Sequence, residues 1–135
     1  MSNPIQRWLL AYWVLLAVWV SDAALVMGKI PGGFFTSYAA DVTLPAFLYI
    51  VVRGLHGPAR RHWTTKIFGS TPELAACAIF GASALTELSQ FYWPKGFFAG
   101  TFDPFDIAAY ALGVGVSYSL DKSSSRQGAA PDTAR

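Results

Sequence analysis

TELSQFYWPKGFFAGTFDPFDIAAYALGVG, residues 86–115, places polar side chains inside or beside two apolar segments that are long enough to enter a lipid bilayer. These polar residues are Glu87, Gln90, Asp103 and Asp106. An ionised carboxylate near the middle of a membrane costs at least about 2.5 kcal/mol, so it is retained where it lines a polar cavity, lies at the interface or pairs with another group. The stretch therefore predicts a membrane protein with a polar site near one face.

The composition of the whole chain agrees with this prediction and indicates one domain. Of its 135 residues, 53% are hydrophobic and only 13% are charged, whereas a typical soluble domain carries about 25% charged residues. The net charge of +2 is too small to indicate nucleic-acid binding, so no nucleic-acid partner is expected. Cys77 is the single cysteine, which excludes an internal disulfide.

The pattern of apolar segments predicts an all-α fold, an integral membrane bundle of four transmembrane helices. The predicted spans are about residues 5–27, 36–53, 72–92 and 103–120. They form one domain over residues 1–121, and the polar residues 122–135 are expected to form a disordered cytoplasmic tail. The second span is the weakest prediction, because Asp41 and Pro45 interrupt it.

Residues that start and stop helices mark the ends of these spans. Gly28 follows the first span, whose apolar run is too long for the rival interpretation, a cleaved signal peptide. Ser70 with Glu73 three residues later is typical of a capping box and predicts the start of the third helix. Asp103 followed by Pro104 predicts the start of the fourth helix in the same way.

The distribution of basic residues predicts the orientation of the bundle. With four spans, both termini and the middle loop lie on one side, and only Lys29 and Lys95 lie on the other. The first side carries Arg7, Arg53, Arg60, Arg61, Lys66, Lys122, Arg126 and Arg135. The positive-inside rule therefore places both termini in the cytoplasm. A three-span alternative without the second helix divides the basic residues less cleanly.

This orientation gathers acidic residues near the outer face, where helical spacing predicts a ligand-binding site. Glu87 and Gln90 share one face of the third helix, and Asp106 and Tyr110 share a face of its antiparallel neighbour. Two neighbouring carboxylates in such a place share a proton or bind a cation. The candidate ligand-binding residues are Asp41, Glu87, Gln90, Asp103, Asp106 and Tyr110.

Some of these candidate ligand-binding residues could instead have a purely structural role. Asp103 and Asp106 stand where a capping aspartate and a first-turn acid stabilise a helix start, and the sequence leaves that role open. Asp22 beside Ser21 is expected to lie at the membrane interface. Glu87 is the strongest candidate for an internal polar site, because apolar residues separate it from the end of its span.

The loop between the second and third spans predicts a second surface. Basic and aromatic residues together favour contact with anionic lipid headgroups, although charge that only sets the topology explains them equally well. The predicted contact residues are Arg60, Arg61, Trp63 and Lys66. His56 and His62 have no cysteine or acidic cluster beside them, so neither a metal site nor a cofactor is expected. No nucleophile motif is present, which favours a non-enzymatic role and leaves catalytic residues unassigned.

The motifs resemble those of a known group of membrane proteins. E-L-x-Q at residues 87–90 and G-T-F-D-x-x-D-I-x-A-Y-x-L-G at residues 100–113 are similar to VanZ-like small membrane proteins. The likeness is closer still to a related bacterial family of unknown function, some of whose members carry a ribosomal-maturation label. Asp41, Tyr49 and Arg53 resemble that family's second helix, although the arginine expected before the aspartate is missing. VanZ-like proteins are associated with resistance to the glycopeptide teicoplanin, so the resemblance implies a cell-envelope role.

Three functional hypotheses follow from these observations. The leading one is a multi-pass protein of the bacterial inner membrane whose outward-facing acidic site binds a lipid headgroup or a cation. The alternative is a small accessory subunit that packs within a larger membrane complex through its small-residue stretch, residues 75–84. A second alternative is an intramembrane enzyme that uses paired carboxylates. Membrane lipids and other membrane subunits are the expected partners.

Overall fold

The structure, a computed structural model, describes residues 4–30, 33–57, 63–96 and 100–128. Every regular element within these ranges is a helix, which confirms the all-α prediction. The five helices are α1 (Pro4–Met27), α2 (Phe34–Arg53), α3 (Trp63–Ile67), α4 (Pro72–Tyr92) and α5 (Pro104–Gly128). The four long helices correspond to the four predicted spans, and the short α3 was not predicted.

The end of α5 differs from the prediction. The helix continues to Gly128, so residues 122–128 are helical where a disordered tail was expected, and residues 129–135 lie outside the described residues. Contacts of Asp121 and Lys122 with other helices join the start of this segment to the bundle. Asp121 is buried, and the hydroxyls of Ser124 and Ser125 donate to carbonyl oxygens one turn back at 2.8 and 3.0 Å. Lys122 also donates to Glu73 of α4 at 2.7 Å, so the segment is joined to the bundle by a partner 49 residues away that the local sequence does not reveal.

The start of α4 also differs from the prediction. Thr71, not Ser70, caps the helix, since the Leu74 N–H donates to the Thr71 hydroxyl at 3.2 Å and Pro72 occupies the first helical position. Glu73 contacts α5 instead of completing a capping box.

Helix α2 lies at the centre of the arrangement and packs against the other four helices. Its C-terminus ends at Gly54, whose left-handed conformation (φ 65°) lets its N–H reach the last carbonyls of the helix. Helices α2 and α5 approach each other closely at Gly113, where a Cβ would collide with the Val42 carbonyl. Helices α4 and α5 are packed neighbours, as the short loop between them predicted.

The described helices expose apolar side chains and bury several polar ones. The core is small, centred on Tyr49, Ala75 and Val114. The buried polar residues are Asp22, Thr65, Glu87, Ser117 and Asp121. Helix α1 alone exposes Ile5, Leu9, Leu10, Trp13, Val14, Val18, Val20, Val26 and Met27. Two of the described helices, α1 and α4, are long and apolar enough to cross a membrane. By length and hydropathy, therefore, two of the four predicted spans qualify as membrane-spanning helices.

Candidate functional site

The long helices alternate in direction, which collects the acidic residues at one end of the bundle. The name acidic end is used here for the end of α1, the start of α2, the end of α4 and the start of α5. Its carboxylates are Asp22, Asp41, Glu87, Asp103 and Asp106. Tyr38 and Tyr110 belong to the same end, because they adjoin these carboxylates.

Glu87 is the most deeply buried of these residues, with 1% of its surface exposed. Its Oε1 accepts a hydrogen bond from the Asp103 backbone N–H at 2.6 Å. The contact joins the end of α4 to the residue that precedes α5. A carboxylate this deep in the protein satisfies one oxygen through the backbone and needs a further partner for its charge.

Asp103 has two roles in the structure. Its Oδ1 accepts a hydrogen bond from the Phe105 N–H at 2.9 Å, which is the geometry of a helix cap. The structural role left open in the sequence analysis is therefore correct for this residue. The other carboxylate oxygen accepts a hydrogen bond from the Tyr38 hydroxyl at 3.3 Å, so Asp103 also ties α2 to the start of α5.

Asp41 lies beside the Tyr110 hydroxyl and the Asp106 carboxyl, as the predicted site required, and Glu87 is a further charged neighbour. Pro45, four residues on, has no N–H to donate to the Asp41 carbonyl. The interruption that weakened the prediction of α2 thus removes a backbone donor at the level of the acidic end.

Gln90 contacts the loop before α5, and Asp22 is buried where a position at the interface was expected. Gln90 packs against Gly100 in the loop before α5, so closely that a Cβ on this glycine would collide with the Gln90 amide. Asp22, expected at the interface, is only 6% exposed and acts electrostatically on Asp41. The sequence did not predict the burial of Asp22, because a single acidic residue near the end of an apolar helix is compatible with both a buried position and one at the membrane interface.

The acidic end has no ion pair among the residues that the structure describes. The two ion pairs in those ranges are Arg53–Asp121 and Lys122–Glu73, and both lie at the opposite end of the bundle. Within the same ranges, no three His, Cys, Asp or Glu side chains converge closely enough to hold a metal ion. The acidic end can therefore bind a positively charged group that needs only one or two carboxylate contacts, or its carboxylates can share a proton.

The opposite end is built around Asp121, which sequence reasoning placed at the edge of the tail. The Tyr49 hydroxyl donates to Asp121 Oδ2 at 2.9 Å, and Arg53 Nε donates to the same oxygen at 2.6 Å. Arg53 also donates to the Gly69 carbonyl. We call Tyr49, Arg53, Gly69 and Asp121 the clasp. Tyr49 and Arg53 lie four residues apart on α2, a spacing that signalled a shared face and left the partner unknown.

A more exposed pair lies next to the clasp. Lys122 Nζ donates to Glu73 Oε1 at 2.7 Å and to the Tyr118 hydroxyl at 2.7 Å. Lys122 lies beyond the predicted end of the fourth span, and the hydrogen bond to Glu73 raises the pKa of its ammonium group.

The predicted lipid-contact surface is partly described. Trp63 and Lys66 lie on α3, exposed, with 65% of Trp63 accessible. Thr65 on the same helix is buried, so α3 packs one side on α2 and exposes the other. Arg60 and Arg61 lie outside the described residues.

No known protein family matches this chain, and neither does any curated protein or any solved structure. The resemblance to VanZ-like proteins stays a prediction from the motifs.

Proposed function

We propose that this protein is a four-span protein of the bacterial inner membrane whose acidic end binds a positively charged group, either a free cation or a lipid headgroup. One observation carries the proposal. Glu87 is almost fully buried beside Asp41 and Asp106, and no basic side chain of the described chain pairs with them. Carboxylates in this setting are expensive unless a proton or a cation balances them.

The dimensions of the helices support four spans. The long helices contain 24, 20, 21 and 25 residues, which corresponds to lengths between about 30 and 38 Å at the rise of an α-helix. The hydrocarbon core of a bilayer is about 30 Å thick. The apolar side chains exposed on α1, α4 and α5 favour contact with lipid, since a soluble protein of this size rarely exposes so many.

The charges at the two ends support the orientation. The clasp and the Lys122–Glu73 pair place basic residues at the end that the positive-inside rule assigns to the cytoplasm. The acidic end then faces outward, which agrees with the cell-envelope role that the VanZ-like resemblance implies.

The accessory-subunit alternative has less support. It depends on the small residues of α4 packing against another protein. Ala75 is fully buried against Tyr49 and Val114 within this chain, and Ala76 packs beside them. Part of the small-residue stretch is therefore already used to hold α4 on α2 and α5.

The test compares two glutamates of the same helix. Purified full-length protein in mild detergent is titrated with phosphatidylethanolamine and, separately, with Mg²⁺, and binding is measured by native mass spectrometry and calorimetry. Glu87→Gln should weaken the binding of whichever probe binds by about ten- to a hundredfold, because a hydrogen bond to a charged group contributes about 1.5–3 kcal/mol. Glu73→Gln, at the exposed opposite end of α4, should leave binding unchanged.

Binding that is equal in the wild type and in Glu87→Gln would contradict the proposal, provided that both proteins show the same thermal unfolding. Copurification of a stoichiometric protein partner without either probe binding would favour the accessory subunit.

A further inference from the structure

A cleft between α1 and α2 holds Asp22, a buried carboxylate of the acidic end to which the proposed function assigns no role of its own. The cleft has a volume of about 320 Å³ and is lined by Ala17, Val18, Ser21, Asp22, Leu25 and Ala39. This volume lies within the range of about 300–1,000 Å³ that is typical of ligand pockets. Val18 and Ser21 are exposed, so the cleft opens on the side of the bundle.

Asp22 lines this cleft, and only 6% of its surface is exposed. Over the ranges that the structure describes, its carboxylate accepts no hydrogen bond and forms no ion pair. Asp41 is one of its charged neighbours and carries the same charge. A buried carboxylate with a second carboxylate beside it favours a cation in the intervening space.

The walls of the cleft restrict the chemistry of that cation. Four of the six lining residues, Ala17, Val18, Leu25 and Ala39, are apolar. A hard metal ion requires several oxygen ligands, and this cleft offers only the Asp22 carboxylate and the Ser21 hydroxyl among its lining side chains. The ammonium headgroup of a lipid fits better, because the ammonium donates hydrogen bonds to the carboxylate while the acyl chains of the same molecule contact apolar side chains.

The position of Asp22 along α1 is suited to contact with a lipid headgroup. Asp22 precedes the end of α1 at Met27 by five residues, which places it about 7 Å inside the helix end. At that depth a lipid that enters the open side of the cleft brings its headgroup to Asp22 and its acyl chains against the apolar surface of α1.

We propose that the α1–α2 cleft binds a lipid with a primary ammonium headgroup, with Asp22 as the residue that accepts its hydrogen bonds. This inference rests on the proposed function and names the ligand class and the route by which it reaches the acidic end. A quaternary ammonium headgroup has no N–H to donate, so the site discriminates phosphatidylethanolamine from phosphatidylcholine.

The test uses the full-length protein in mild detergent and native mass spectrometry with three probes: phosphatidylethanolamine, phosphatidylcholine and phosphatidylglycerol. The wild type should retain phosphatidylethanolamine preferentially. Asp22→Asn should weaken that retention by about tenfold, because it removes a charge-assisted interaction. Val18→Trp should weaken it as well, since the larger side chain fills the cleft and leaves Asp22 intact. Glu73→Gln is the charge control and should match the wild type.

Three outcomes would overturn the inference. Retention that is equal for all three lipids would remove the headgroup selectivity. Phosphatidylethanolamine binding that Glu87→Gln weakens, and that Asp22→Asn and Val18→Trp leave unchanged, would place the ligand elsewhere at the acidic end and leave the proposed function standing. Binding of neither phosphatidylethanolamine nor Mg²⁺ by the wild type would contradict both proposals.

Discussion

At the scale of single residues, Asp121 shows how one buried charge holds distant segments together. Its carboxylate joins Tyr49 and Arg53 of α2 to the end of α5, and Arg53 continues to the Gly69 carbonyl before α4. The side chains of Arg53 and Asp121 are only 14% and 4% exposed. A buried pair contributes little net stability over apolar residues, but removing one partner leaves an uncompensated charge.

Asp121→Ala should therefore lower the free energy of unfolding by about 3 kcal/mol, because it leaves Arg53 unpaired and Tyr49 without its acceptor. Denaturant unfolding of the detergent-solubilised protein, followed by circular dichroism, measures this change. The double variant Arg53→Met with Asp121→Leu should recover part of the loss, since neither charge remains. A single variant as stable as the wild type would show that the clasp does not hold the helices in solution.

At the scale of helices, the packing of α5 on α2 depends on which positions of α5 are glycine. Gly113 and Gly115 lie two residues apart on α5, and their surroundings differ completely. A Cβ at Gly113 would collide with the Val42 carbonyl, whereas a Cβ at Gly115 would meet nothing within 4 Å. Because a backbone carbonyl cannot rotate away as a side chain can, the collision must be relieved by moving one helix.

Gly113→Ala should destabilise the protein by about 1–3 kcal/mol, as overpacking does. Gly115→Ala is the matched control and should stabilise it by about 0.5–1 kcal/mol, because alanine loses less conformational entropy than glycine in a helix. Thermal unfolding of both variants measures the difference. Equal effects of the two substitutions would mean that α2 and α5 do not approach as closely as the structure shows.

At the scale of the whole molecule, the two ends of the bundle differ in how their charges are balanced. The clasp end pairs its carboxylates with Arg53 and Lys122, and the acidic end has no such pair among the described residues. The apolar side chains cover much of the outer surface between the two ends. The proposed four-span arrangement requires such a distribution, with one polar site near a membrane face.

Cysteine labelling of intact cells tests the proposed orientation. In a Cys77→Ser background, Lys29→Cys and Lys95→Cys should react with a membrane-impermeant maleimide from outside, because both residues are exposed beside the acidic end. Lys66→Cys on α3 should react only after the membrane is permeabilised. The reverse pattern would contradict the orientation and place the acidic end in the cytoplasm.

The sequence by itself determined the helical fold and the end at which the acids gather. Helices are specified by local features, such as the length of an apolar run or Asp103 before Pro104, and short loops make successive helices alternate in direction. The exact start of α4 and the helical end of α5 were missed, because side-chain partners beyond the local sequence shift such boundaries.

The tertiary structure alone decided which side chains face each other. It buried Asp22, turned Gln90 toward Gly100 and gave Arg53 its partner Asp121, which lies 68 residues away. Spacing within one helix shows which residues share a face, but the rotation of that face toward a neighbour depends on packing along the whole bundle. Contacts such as the approach of Gly113 to Val42 set that rotation, and they exist only between helices that are distant in the chain.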